Sequence, residues 1–408
     1  MKALILAGGF PQIDLIQKLK NSGIDTILAD YYEHPVARDY ADKFLRISTL
    51  DVDAIRNAAI AEDVDFLITV CTDQALLTVA QISEELHLPC YIDYQTAKNV
   101  TNKEYMKRVF CDNNIPTAKH TVLKELDLAQ IRGWEFPLIV KPVDCNSSKG
   151  VRKVNDDEEL LEAFQAAVHF SRTSTAIVEE YVEGQELSID VYVQNGVAHI
   201  LDITTSEKID DTDKFVIIRT WHQKELFEKH INEAQSIAQK IATAFSIENA
   251  PMLIQLIASD NGMRVIEFSA RTGGGVKHLS IERQTGVDIV SYVIDLTLGK
   301  TPELHPKHLQ KGFMLDEYIY CRPGVFSKLC GFDELKESGV ILDYYQFRWE
   351  GSEFDFVANS GDRVAGFTIV ADTMDELKEK HKRVNEQAKV LSIDGVDLMR
   401  HDLSEKNL

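Results

Sequence analysis

The chain has 408 residues, with 44 lysines and arginines against 65 aspartates and glutamates, and a formal net charge of −21. A composition 44% hydrophobic and 27% charged is that of an ordinary folded chain, which excludes disorder, collagen and low-complexity repeats. The acidic surplus, with no dense Lys/Arg run, speaks against nucleic-acid and membrane-surface partners, because both present negative charge.

At about 100–200 residues per domain the length predicts two to four domains. The first nine residues hold one Lys and an apolar run shorter than the roughly 7–15 residues of a signal-peptide core, so they read as a buried strand and the chain as cytoplasmic. No stretch approaches the about 18 apolar residues of a membrane span. Six cysteines without any CxxC spacing read as reduced thiols.

Short β-rich runs at Ala3–Ala7, Thr26–Asp30 and Phe66–Val70 alternate with amphipathic helices at Pro11–Asn21, Val52–Glu62 and Asp73–Leu86. This order predicts a parallel sheet covered by helices over residues 1–100. Gly8-Gly9 reads as a tight turn, since GxGxxG is absent. A helix over Asn102–Asn113, with Asn102 as N-cap, leads out of this domain.

Beyond residue 115 the pattern changes. Strands are predicted at Pro137–Lys141, Val151–Val154, Ser174–Glu179 and Leu187–Gln194, with Asn195-Gly196 as a tight hairpin turn. A long helix follows at Lys224–Phe245, then a strand pair, then a helix at Asp288–Leu298 ending at Gly299. Strands at Gly312–Tyr320, Leu342–Trp349 and Gly366–Ala371 and a helix at Met374–Leu391 suggest a small α+β region at the end. The domains expected are 1–100, 101–184 (with the lid), 185–305 and 306–408.

The sharpest local feature is the strand pair flanking Asp260-Asn261-Gly262. A three-residue turn would set Ser259 opposite Met263 and Gln255 opposite Glu267, with Ser269 and Arg271 on the same face by period two. Two oxygen ligands and a guanidinium would then face one spot, as a metal-bound phosphate requires. A two-residue turn would put Gln255 and Glu267 on opposite faces, and a solvated hairpin face is the plain alternative. Lys141 closes an apolar strand and suits the rim of an anion site, or else snorkels at an edge. Asp144–Gly150, with Ser147, Ser148 and Lys149, is small and polar enough to cover a triphosphate. Glu179-Glu180-Tyr181-Val182 ends another apolar strand, with Glu186 shortly after.

These motifs in this order resemble the ATP-grasp superfamily, whose members include biotin carboxylase, carbamoyl phosphate synthetase, D-alanine-D-alanine ligase and the L-amino acid ligases. The resemblance implies a multidomain α/β and α+β fold: a Rossmann-like pre-ATP-grasp domain, ATP-grasp domains and a small C-terminal α+β region. It places Lys103 and Lys141 on the ATP phosphates, Ser147, Ser148 and Lys149 in the lid, Glu179, Glu180 and Val182 around the adenine, and Glu186 on the ribose. It makes Gln255, Glu267 and Ser269 magnesium ligands, with manganese as a substitute ion. Ser269 departs from the usual Asn, and the lid holds one glycine where relatives often have several. Arg271 matches the arginine near the transferred phosphoryl group, so Lys141, Glu267 and Arg271 carry catalysis.

The resemblance also implies that Gly273, Gly274 and Gly275 approach a small substrate, with His278 as a substrate contact or proton acceptor. Packing alone is the alternative for His278, and surface positions for two further anion-site candidates, Lys208 and Arg219. The preferred reading is an ATP-dependent carboxylate–amine ligase acting through an acylphosphate, one substrate an amino acid. The alternatives are a phosphotransferase or carbamoyl-phosphate-like enzyme, and a catalytically silent ATP-binding scaffold. Its partners are small carboxylates and amines, and homodimers are common among such relatives.

Overall fold

The computed structural model describes residues 1–145, 150–209, 216–307, 312–357 and 359–404. The N-terminal unit is a parallel four-stranded sheet in the order Lys43–Arg46, Asp25–Asp30, Lys2–Leu6, Phe66–Ile68. Its central strands are apolar on both faces because helices cover both, as a parallel sheet demands. The three expected helices form at Phe10–Asn21, Val52–Glu62 and Asp73–Leu86. Lys43–Arg46 was not expected: four residues with charged ends make a poor strand signal but a suitable edge.

Helix Tyr94–Thr101, also unexpected, runs into Lys103–Asp112, whose N-cap Asn102 accepts a hydrogen bond from Tyr105 N at 2.9 Å. The lid-bearing unit is an antiparallel sheet ordered His120–Leu123, Ala176–Glu180, Leu138–Pro142, Arg152–Val154, backed by helix Asp157–Phe170.

The dominant element is an eight-stranded sheet. Gln185–Gln194 and Val197–Lys208 pair through Asn195-Gly196, both at positive φ (51° and 76°), which is the twist a two-residue hairpin turn needs. Ala250–Ser259 and Gly262–Ser269 extend one side; Ile217–Gln223, Phe313–Ile319, Ala365–Ala371 and Asp343–Gln346 extend the other. The segment expected as a separate C-terminal region therefore adds three strands to the central sheet. The last long helix stops at Gln387, and Lys389–Ser392 is a strand where helix was expected to Leu391.

The central sheet has one apolar and one polar face. Leu187, Ile189, Val191, Ile254 and Leu256 pack with helices Lys103–Asp112 and Lys224–Ala244. Their alternates, Glu186, Ser188, Gln255 and Glu267, face the other way, into the clefts described below. Under the C-terminal side, His222 is fully buried between two carboxylates, Asp202 at 2.5 Å and Asp316 at 2.9 Å. Burial alone would discharge it, but the two carboxylates outweigh burial and raise its pKa to about 9.

A histidine raised in the folded state stabilises fully below its unfolded pKa, near 6.5, and loses that contribution as pH climbs through about 9. Denaturant midpoints between pH 6 and 10 should show wild type losing stability over that interval relative to His222→Gln. A constant difference between the two proteins would refute the charged pairing.

Candidate active site

The hairpin that was to bring Gln255 and Glu267 together does so by another route. Ser259 pairs with Gly262 across a two-residue Asp260-Asn261 turn, not a three-residue one. Ala258 then faces Met263, and Leu256 faces Val265. Left unbroken, that register would put Ile266 opposite Gln255. A β-bulge between Leu256 and Gln255 leaves Ile266 without a partner and restores Glu267 opposite Gln255. Both side chains thus share the polar face.

They sit where two concavities meet. The first, about 150 Å³, lies between the lid sheet and the central sheet. Lys103, Lys141, Glu179, Glu180, Val182, Glu186, Gln255 and Glu267 all line it, so eight of the expected residues converge from four parts of the chain. Ile139 from the lid strand and Ile257 from the central sheet add apolar walls, the surroundings a planar base requires. The second cleft, about 840 Å³, is lined by Arg271, Gly273, Gly274 and Gly275 and by the N-terminal unit's Thr72, Asp73 and Gln74. Cys145, Gln255 and Glu267 line both.

The charges are arranged in pairs. Glu179, 5% exposed, lies 2.8 Å from both Lys141 and Lys107. Burial would raise its pKa, yet the two lysines hold it down at about 2. Glu179 is therefore a carboxylate clamp for two lysines, whereas the resemblance placed it on the adenine. Lys107 was missed, although it stands one helical turn after Lys103 on the same face; its ammonium also donates to Thr117 Oγ1 at 2.6 Å. Lys103 lies 3.0 Å from Glu267 and donates to the Cys145 carbonyl at 2.7 Å. Glu267 is held below the usual carboxylate range, Lys103 and then Lys141 outweighing burial. Glu186 pairs with Lys208, which lines the smaller slot and is not the surface lysine that was its alternative.

Arg271 is engaged by a residue that sequence reasoning missed. Its Nε donates to Asp73 Oδ1 at 2.7 Å and its Nη2 to Oδ2 at 2.5 Å, while Nη1 donates to the Thr272 carbonyl at 2.9 Å. Asp73 opens a helix of the N-terminal unit, where an acid reads as a first-turn residue and nothing more. The Ser269 hydroxyl also hydrogen-bonds Asp73, whose carboxyl is held low by Arg271 against its burial.

His278 does not reach either cleft. It is 3% exposed, its ring packs against Phe10 with centroids 6.0 Å apart, and burial lowers its pKa to about 4. The packed alternative is the one the structure adopts. Arg219 is likewise buried, paired with Glu317 and Glu207 away from the slot. Ser147, Ser148 and Lys149 lie outside the described residues.

With this geometry in place, comparison with known proteins is decisive for the central part of the chain: residues 134–279 match the ATP-grasp domain family. That stretch of the chain is similar to an ATP-grasp domain. It is 24% identical over 327 residues to a phosphoribosylamine–glycine ligase of Lactococcus lactis, covering 75% of each chain. It is 26% identical over 273 residues to a 3-methyl-D-ornithine–L-lysine ligase of Methanosarcina barkeri, covering 66% of this chain and 67% of that one. The crystal structure of an L-amino acid ligase from Bacillus licheniformis shares its fold, with a TM-score of 0.79 at 18% identity over 96% of this chain and 98% of that one. The multidomain α/β architecture expected from the ATP-grasp resemblance is thus the one observed.

Removing one partner from a buried ion pair strands the other charge. Glu179→Ala should cost roughly 3–5 kcal/mol in chemical denaturation. Glu180→Ala, next to it but more exposed, should cost under about 1 kcal/mol. Equal losses would show that Glu179 does not carry the two lysines.

Proposed function

We propose that the chain is an ATP-dependent carboxylate–amine ligase: it phosphorylates a small carboxylate and passes the acyl group to an amine, one substrate being an amino acid, with ADP and phosphate released. The observation that carries this reading is the shared position of Gln255 and Glu267 at the junction of a basic slot and a larger polar cleft. A phosphoryl group leaving a nucleotide in the first must cross that junction to reach an acceptor in the second.

The donor set fits magnesium. The Gln255 amide oxygen and the Glu267 carboxylate are hard oxygen ligands, and phosphate and water complete the shell that such an ion prefers. Among the described residues no group of three or more His, Cys, Asp or Glu side chains is placed to hold a metal ion. When bound, magnesium neutralises charge on the β and γ phosphate oxygens.

The chain's own residues do the remainder. Lys103 and Lys141 supply positive charge at the slot, each held in place by a carboxylate before nucleotide arrives. Preorganised charge needs no reorganisation as the transition state forms. Arg271, fixed by Asp73, lines the cleft and keeps N–H groups beyond those given to Asp73 and Thr272. Exclusion of water from the junction protects an acylphosphate. The amine attacks the acyl carbon, the C–O bond to phosphate breaks, and the amine's proton passes to solvent or to phosphate.

The test is ADP and phosphate release across a matrix of amino acids and small organic acids, with mass spectrometry of each active mixture. A product lighter by one water than an acid plus an amine supports the ligase; a phosphorylated single substrate would replace it with a phosphotransferase. Glu267→Ala should abolish turnover with the fold retained by circular dichroism, and undiminished rates would remove Glu267 from the metal site. Asp73→Asn should lower kcat by roughly tenfold to a hundredfold with little change in ATP affinity, because a misplaced Arg271 harms the transition state more than nucleotide binding. A loss confined to KM for ATP would contradict that role.

A further inference from the structure

Four cationic side chains line the large cleft: Arg172, Arg271, Lys277 and Arg363. Three are matched by carboxylates. Arg172 lies 3.5 Å from Asp144, Lys277 lies 2.8 Å from Asp190, and Arg271 is gripped by Asp73. Arg363 has no carboxylate within ion-pair range among the described residues. Its guanidinium carbon stands 3.7 Å from the centre of the Tyr318 ring, and its Nε donates to the Tyr320 hydroxyl at 3.4 Å.

Such a guanidinium is held but not neutralised. Stacking on a ring fixes its plane and leaves N–H groups at its edge for a planar anion. Its base is fixed too. Arg363 follows the short turn Ser360–Asp362, in which Asn359 and Asp362 cap each other and the Ser360 hydroxyl accepts from Ile217 N at 3.3 Å, tying the turn to the central sheet. On the other side, Gly275 has φ +67°, and a Cβ there would lie 2.4 Å from the Tyr318 hydroxyl and 3.2 Å from Arg363 Nη1. The glycine segment, Tyr318 and Arg363 therefore meet in a region of the cleft built by the C-terminal strands.

We propose that Arg363 is a specificity residue that binds a substrate carboxylate other than the one being activated, so that one substrate is an α-amino acid with its carboxylate free. The assignment rests on the ligase reading of the same cleft. The activated carboxylate belongs at the junction, beside Gln255 and Glu267. Asp73 already holds the Nε/Nη2 edge of Arg271 and matches its charge, so Arg271 is the poorer candidate for a second carboxylate. Arg363 supplies the charge and the open edge that such a group requires.

The test is calorimetric titration of the full-length protein, loaded with magnesium and ADP, with each of the 20 standard L-amino acids and the α-carboxamide of each. At least one acid should bind wild type tenfold or more tightly than its amide, a preference of about 1.4 kcal/mol. Arg363→Gln should abolish that preference while keeping ADP affinity. Arg363→Lys, which keeps charge but loses the fork, should retain part of it and carries the test should the Gln variant not fold. The proposal is overturned by equal binding of acid and amide to wild type, by the absence of binding to all 20, or by an undiminished preference in the folded variants. An Arg363-dependent preference in a protein that forms no amide would sink the ligase reading and leave this assignment; amide formation with unchanged KM values in Arg363→Gln would do the reverse.

Discussion

Cations cannot be gathered in a low-dielectric slot without anions to hold them, and the architecture of this chain follows from that constraint. Lys107 and Lys141 would lose charge or leave the interior were Glu179 not set between them. The same logic repeats in Lys103 with Glu267, Lys208 with Glu186 and Arg271 with Asp73. Each pairing joins different elements of the fold, so the charges that line the slot also fasten lid, central sheet and N-terminal unit to one another. Under the proposed function, phosphate would exchange one set of anionic partners for another without drawing lysines from bulk water.

The division of labour between sheet faces makes this arrangement possible. Period two sends Leu187, Ile189, Ile254 and Leu256 into a helix-covered core and Glu186, Ser188 and Gln255 into solvent-lined space. The sheet continues past Ile217–Gln223 into the C-terminal strands, so Tyr318 and Arg363 are carried by the same platform as Gln255. A separate terminal domain would have needed an interface to hold that geometry; hydrogen-bonded strands provide it directly.

Local features were legible in the sequence because their causes are local. Helices with an apolar stripe, the Asn102 cap and the Asn195-Gly196 turn each depend on a few adjacent residues, and each lies where expected. The slot was legible as a set of motifs, since Lys141, Glu179, Glu186 and Glu267 close or follow strands in a recognisable order. Asp73 was not: its partner is 198 residues away, and an acid at a helix start already has a sufficient local explanation. His278 misled for the converse reason, since its place after a glycine run resembles a substrate segment while its helix turns the ring towards Phe10. The two lysines that hold Glu179 were not legible either, because no spacing rule links it to residues on a separate helix and strand.

The bulge at Ile266 has a consequence for how this hairpin can change. Turn length and bulge count together decide a parity, odd or even, and only one parity puts Gln255 and Glu267 on the same side. Deleting Ile266 would remove the bulge and leave Glu267 opposite Gln255 across the same two-residue turn, because that register already pairs Gln255 with whichever residue follows Val265. A two-residue turn with a bulge, a three-residue turn without one, and a two-residue turn on a strand one residue shorter all give the same pairing, so hairpins of unlike outline can present the same two oxygen-bearing side chains.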